Sequence, residues 1–170
     1  DGLEEVIVQP THVMNGYEND MMTEDAKAYS SHFSRVAIGA PLLTSMEAQS
    51  RIIKAVAENL PVEKDEALIL MGHGTEAFAN SISAALDYQF KAMGYPNIFD
   101  GTVEGYPELE TVKKLLKKAG LKKIALAPFM IVAGDHATND LAGDEEDSWK
   151  SLLEAEGYEV RCILKGLGEY

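Results

Sequence analysis

Hydrophobic positions along this chain change period repeatedly, and the changes divide it into alternating strands and helices. Val6, Ile7 and Val8 form a short β-branched run from Glu5 to Gln9, stopped by Pro10. His12 follows, then the turn signal Asn15-Gly16. A polar helix is expected over Thr23 to Phe33, with Thr23 as N-cap and a thin face of Ala26, Tyr29 and Phe33. Arg35 to Gly39 reads as a second strand, stopped at Ala40-Pro41. Thr44 or Ser45 then caps a stronger helix, in which Met46, Ile52, Ile53, Val56 and Leu60 recur at helical spacing. Leu60-Pro61 ends it, because a residue before proline avoids the α region.

From Ala67 onward the order is β-α-β-α-β-α-β. Ala67 to Met71 is a continuous apolar run, the pattern of a parallel strand covered on both faces. A helix is expected from about Glu76 to Met93, with Phe78, Ile82, Ala85, Leu86, Phe90 and Met93 on one face. Asn97 to Val103 is strand-like. Pro107 is expected in the first turn of the next helix, where a missing N–H costs nothing, and Leu109, Val112, Leu115 and Leu116 form its stripe up to Gly120. Lys123 to Val132 is the most apolar run and another buried strand. Trp149, Leu152 and Leu153 mark a last helix closed by Gly157, before a final strand over Tyr158 to Leu164. Crossovers of this length imply an open, right-handed parallel sheet. The fold class is α/β, and βα successions on both sides of residues 41–66 point to two similar halves, the first one short.

Composition narrows the function. The chain has 170 residues, 46% of them hydrophobic, enough for a real core. A formal net charge of −13 argues against a nucleic-acid partner, which needs a basic face. The single cysteine, Cys162, excludes an intramolecular disulfide framework and a multi-cysteine metal cluster, and its place in a strand suits core better than nucleophile. No apolar run approaches the ~20 residues of a membrane span. A soluble, cytoplasmic protein is expected, without a signal peptide in the residues given.

The chemistry sits at strand ends. In a parallel α/β sheet, ligands bind at the carboxyl ends of the strands. His73 in Met71-Gly72-His73-Gly74-Thr75, Glu104 in Val103-Glu104-Gly105-Tyr106-Pro107 and His136 in Gly134-Asp135-His136-Ala137 follow three successive strands. Neighbouring strands lie ~4.8 Å apart, so three such side chains can converge on one ion. Two imidazoles and a carboxylate suit divalent Zn, Co, Ni or Fe. The bland alternative is that the histidines serve turns and Glu104 is solvated. Gly72-His73-Gly74-Thr75 could also cradle phosphate at a helix start. It lacks the Gly-Lys-Ser/Thr ending of a P-loop, and Ala77 stands where a dinucleotide fingerprint needs its third glycine. There is no His-Glu-x-x-His, which argues against a zincin-type protease. His12 either faces the same cleft from the other half or serves a turn, and His32 reads as a surface residue. Asp144 to Asp147 reads as a solvated helix start or an attractor of cations. Lys113, Lys114, Lys117, Lys118, Lys122 and Lys123 read as an exposed helix back and its exit turn.

Met71-Gly72-His73-Gly74, Val103-Glu104-Gly105-Tyr106-Pro107 and above all the stretch Val132-Ala133-Gly134-Asp135-His136-Ala137 with Asn139-Asp140 and Asp147-Ser148-Trp149-Lys150 resemble the anaerobic cobalt chelatase family, CbiK. These are sirohydrochlorin cobaltochelatases, class II chelatases related in fold to ferrochelatase. Val8-Gln9-Pro10-Thr11-His12-Val13 and Gly166-Leu167-Gly168-Glu169 also look like family segments. The resemblance covers essentially the whole chain. It implies two similar α/β halves around a cleft. Residues 1–41 then read as a remnant of the first half and residues 42–170 as the half carrying the metal site. It also implies a further strand and helices before Asp1 and a terminal helix after Tyr170.

By that resemblance, His73, His136 and Glu104 hold the incoming metal, and His73 and His136 are the catalytic candidates, one of them accepting a pyrrole proton. The substrates implied are Co²⁺, with Fe²⁺ or Ni²⁺ as alternatives used by related enzymes, and the tetrapyrrole sirohydrochlorin. The net charge opposes long-range steering of a polycarboxylate ring, so local basic groups must compensate. A non-catalytic tetrapyrrole or metal carrier is the alternative, and a His/His/Glu metallohydrolase a weaker one. A homo-oligomer is left open, with exposed apolar surface as its expected cause.

Overall fold

A computed structural model describes residues 2–170, so Asp1, the first residue of the proposed first half, lies outside them. Two separate parallel sheets form. The first pairs β1 (Glu5–Val8) with β2 (Arg35–Ile38), joined by α1 (Tyr17–Ala28). The second has four strands in the order β4-β3-β5-β6, with β3 over Glu66–Gly72, β4 over Ile98–Thr102, β5 over Lys123–Pro128 and β6 over Glu159–Cys162. The helices α2 (Met46–Asn59), α3 (Ser81–Ala92), α4 (Leu109–Ala119) and α5 (Trp149–Ala155) cover its two faces.

The central strand β3 shows why. All seven of its residues are buried, and their alternation feeds two cores. Leu68 and Leu70 pack with Ile53, Val56, Leu86 and Phe90 from α2 and α3. Ala67, Ile69 and Met71 pack on the other side with Val112, Leu116 and Leu153 from α4 and α5. A strand covered on both faces needs no polar side, so Ala67 to Met71 is continuously apolar, and the buried Glu66 at its start is paired with Arg161. The first sheet is different: Ile7 is 79% exposed, and β1 alternates between exposed and half-buried positions.

Helix ends follow local chemistry where a side chain supplies a partner. The Ser45 hydroxyl accepts from the Ala48 amide, and the Ser148 hydroxyl from the Ser151 amide. Gly120 ends α4 with φ of 70°, in the left-handed region.

Several expected boundaries move. The first helix runs from Tyr17 to Ala28, so Thr23 lies inside it, and a short 3₁₀ turn over Ser30–His32 follows. Asn19 is its one buried residue, so no apolar stripe marks where it begins. The long helix after β3 starts at Ser81, not Glu76, because the Asn80 side chain holds the preceding segment in a tight turn; Phe78 is thereby 93% exposed. Pro107 stands before α4 rather than in its first turn, since its carbonyl accepts from the Thr102 amide at 2.7 Å and so closes the end of β4. The strand β5 stops at Pro128, four residues short of Val132; proline has no N–H to give the ladder. Lys113 is buried rather than exposed, paired with Glu110 and Glu156. No helix among the described residues is long and apolar enough to cross a membrane.

Candidate metal-delivery site

The β3–β4 ladder continues beyond its strands. The Val103 amide donates to the Gly72 carbonyl at 3.0 Å, and the Glu104 amide to the His73 carbonyl at 2.8 Å. These bonds carry His73 and Glu104 out of the sheet side by side. The two turns touch closely at Gly74, whose φ is 86° and where a Cβ would lie 2.8 Å from the Gly105 nitrogen. Only glycine meets both conditions. Asn80 ties the turns together: its side-chain oxygen accepts from the Thr75 amide at 3.1 Å, and its amide nitrogen donates to the Tyr106 carbonyl at 2.7 Å.

His136 arrives differently. It lies eight residues past the end of β5, at the start of a π-helical turn over Ala137–Leu141. Ala137 and Leu141 are fully buried and anchor this turn. The loop leading to it is pinned from the chain's last segment: Leu167 and Gly168 donate their amides to the Met130 and Ile131 carbonyls at 2.8 and 2.9 Å. A Cβ at Gly166 would collide with the Ile131 carbonyl, which gives the Gly166-Leu167-Gly168 segment its physical reason.

The structure brings all three predicted residues to one edge. The rings of His73 and His136 stand 4.7 Å apart between centres, at 84° to one another. An imidazole nitrogen binding a divalent ion at ~2.1 Å puts its ring centre ~3.2 Å from the ion, so two rings on one ion stand ~4.5 Å apart at a right angle and ~5.2 Å apart at a tetrahedral one. The observed separation falls inside that window. The Glu104 carboxylate lies 3.9 Å from the His73 Nδ1. Among the described residues, no three such side chains are already grouped as a metal would hold them. Glu104 is 61% exposed, so a rotation about its own side chain is unobstructed by packing.

Hydrogen bonds set which nitrogens are free. The His73 Nδ1 lies 3.0 Å from the Gly74 carbonyl, which can only accept, so Nδ1 carries the proton. The His136 Nδ1 lies 2.5 Å from the Asp140 carboxylate, with the same consequence. Both rings in their neutral form therefore present an Nε2 lone pair. Asp140 enters the sequence pattern only through the family resemblance; the signal for its contact with His136 is the His-x-x-x-Asp spacing, which puts two side chains on one face of a helical turn.

A cavity of about 300 Å³ opens beside the site. His73 and Gly74 line it from the second sheet, Phe129 and Met130 from the loop after β5, and His12 and Met14 from the first half. His12 thus reaches the same cleft, and its Nδ1 is buried without a hydrogen-bond partner among the described residues. The phosphate-cradle reading loses its footing, because His73 and not a helix start follows the strand: α3 begins eight residues later. The Cys162 thiol is half-buried against the core and burial pushes its pKa up, which suits packing and not a thiolate.

The chain is 35% identical over 169 residues to the sirohydrochlorin cobaltochelatase of Salmonella typhimurium, a match covering 99% of this chain and 64% of that relative. It is 36% identical over 169 residues to the sirohydrochlorin cobaltochelatase CbiKC of Nitratidesulfovibrio vulgaris, covering 97% of this chain and 60% of that one. The chain therefore spans under two thirds of the length of these curated relatives. The profile of one family, cobalt chelatase (CbiK), matches residues 1–170, and with these identities the chain belongs to that family.

Proposed function

We propose that the protein inserts Co²⁺ into sirohydrochlorin, a lyase-type step of cobalamin biosynthesis carried out in the cytoplasm, and that His73, Glu104 and His136 deliver the ion. The observation that carries the reading is the pairing of His73 and His136 at 4.7 Å on the carboxyl edge of a parallel sheet, within a chain of this family. Residues 42–170 form the metal-carrying half, and residues 1–41 contribute one wall of the cleft through His12 and Met14.

The chemistry follows from the free nitrogens. Metal insertion exchanges two pyrrole N–H protons for one divalent ion. Neutral imidazole nitrogens hold such an ion weakly enough to release it, and an imidazole with pKa near ~6.5 can accept a proton once its metal leaves. The Nε2 atoms of His73 and His136 hold the ion, Glu104 swings in to complete the set, and as the ion moves to the ring nitrogens one histidine takes one pyrrole proton while the other proton passes to solvent water. Fe²⁺ and Ni²⁺ suit the same donors and compete with Co²⁺. An anaerobic absorbance assay with sirohydrochlorin and Co²⁺ tests the reading. Metallation well above the spontaneous rate is expected; a rate equal to that background overturns it.

A further inference from the structure

The His136–Asp140 contact carries more than the delivery reading requires. At 2.5 Å it is a charge-assisted hydrogen bond between residues four apart. The turn that holds both is fixed on two sides. Its inner face is anchored by Ala137 and Leu141, both fully buried. Its outer face is tied by the Asn139 side chain donating to Asp135 Oδ1 at 2.9 Å and by the Thr138 hydroxyl donating to the Asp135 carbonyl at 3.1 Å. The carboxylate is therefore presented by a pinned backbone. π-Helical turns recur at functional sites because they re-aim side chains in this way.

His136 needs such a partner. Its side chain is 35% exposed, so packing alone does not choose its ring orientation. An unpartnered imidazole exchanges between tautomers, and the form protonated on Nε2 cannot ligate through that atom. A carboxylate at Nδ1 removes both freedoms: it keeps the proton on Nδ1 and leaves the lone pair on Nε2, in a ring whose centre is 4.7 Å from that of His73. His73 has the weaker version of the same device, a neutral carbonyl at 3.0 Å.

From this geometry we propose that Asp140 is a positioning residue, which holds the His136 ring in the Nδ1–H tautomer with Nε2 aimed at the incoming divalent ion. Carboxylate–imidazole–metal chains raise the basicity of the ligand and fix its direction, and losing the carboxylate typically costs ~10–100-fold in metal affinity. The inference rests on the delivery role of His136 proposed above.

The test uses the full chain in three forms: wild type, Asp140→Ala and Asp140→Asn. Nitrogen-15 shifts of the His136 ring, read without metal, report the tautomer; the visible spectrum of bound Co²⁺ reports affinity. Asp140→Ala is expected to move His136 toward the Nε2–H form and to weaken Co²⁺ binding ~10–100-fold. Asp140→Asn retains a side-chain oxygen that accepts from Nδ1, so it is expected to keep the tautomer and lose less than half of that effect on a logarithmic scale. The Asn variant also keeps the test decisive if the Ala variant folds poorly. An unchanged tautomer in both variants, or a changed tautomer with undiminished Co²⁺ affinity, overturns the proposal. A chain whose Co²⁺ affinity depends on Asp140 as stated but which never metallates the tetrapyrrole contradicts the chelatase reading alone.

Discussion

The Glu104 amide donates to the His73 carbonyl at 2.8 Å, one step beyond the last paired residues of β3 and β4. A proposed ligand carboxylate and a proposed ligand imidazole are thus joined through their backbones before any metal is involved. Neighbouring strands supply the spacing, and the ladder fixes which residue stands beside which.

Replacing either histidine removes a nitrogen from the proposed site. His73→Ala and His136→Ala are each expected to lower the metallation rate by at least ~100-fold while leaving tetrapyrrole binding in place. Anaerobic rate measurements alongside a fluorescence titration with the metal-free tetrapyrrole check both halves. Loss of affinity alone, with no metallation above the spontaneous rate in any form of the chain, would point to a carrier.

Gly74→Ala forces a side chain into the left-handed region and against the Gly105 nitrogen. The expected cost is ~2 kcal/mol or more. Denaturant unfolding gives the stability, and the loss should be accompanied by weaker Co²⁺ binding because His73 moves with the turn.

Glu66 at the start of β3 meets Arg161 on β6 through two hydrogen bonds, 2.6 Å from Nε and 2.9 Å from Nη2. The Arg161 guanidinium lowers the Glu66 carboxyl pKa below its ordinary value. A depressed folded pKa means stability that is present above the unfolded value near ~4.3 and lost as pH falls through the folded one. Arg161→Met is expected to cost ~2 kcal/mol at neutral pH, with the difference from wild type shrinking below pH ~4. Unfolding midpoints measured across pH 3 to 7, in steps of roughly half a unit, would show this convergence. A difference that stays constant with pH would assign the effect to packing of the arginine stem.

Asp100 on β4 is 1% exposed, with Ser83 and Lys91 the groups that favour its charged form. Burial, with the nearby Asp87 charge adding to it, pushes its pKa well above the ordinary value. The sign is opposite to that of Glu66: the wild type gains below the unfolded pKa of ~3.9 and loses as pH rises toward the folded one. Asp100→Asn has no charge to acquire. Its melting temperature relative to wild type is expected to climb by a few degrees as pH rises from about 4, levelling off once the wild-type carboxyl has ionised. A relative melting temperature that is flat or falls over that range would show that the ionised carboxylate is accommodated.

The sequence by itself determined the order of elements from β3 to β6 and the sheet edge at which His73 and Glu104 leave β3 and β4. Both follow from local rules. A strand buried on both faces has to be apolar throughout, as Ala67 to Met71 is, and parallel crossovers put all strand ends on one side. It also narrowed the α2 cap to Thr44 or Ser45, of which the structure uses Ser45, and determined Gly120 as a stop, because those partners are close in sequence. Only the tertiary structure decided that Lys113 is buried, since its partner Glu156 lies beyond α4. The tertiary structure likewise decided that Phe78 faces solvent, since Asn80 is held by a carbonyl on the neighbouring turn. It decided where α1 begins, because a helix with so little apolar surface leaves no period to read. It decided that His12 shares a cavity with His73, across a separation of sixty residues that no periodicity spans. The hydrogen bonds that free each Nε2, from Gly74 and Asp140, depend on ring orientations that residue types alone leave open.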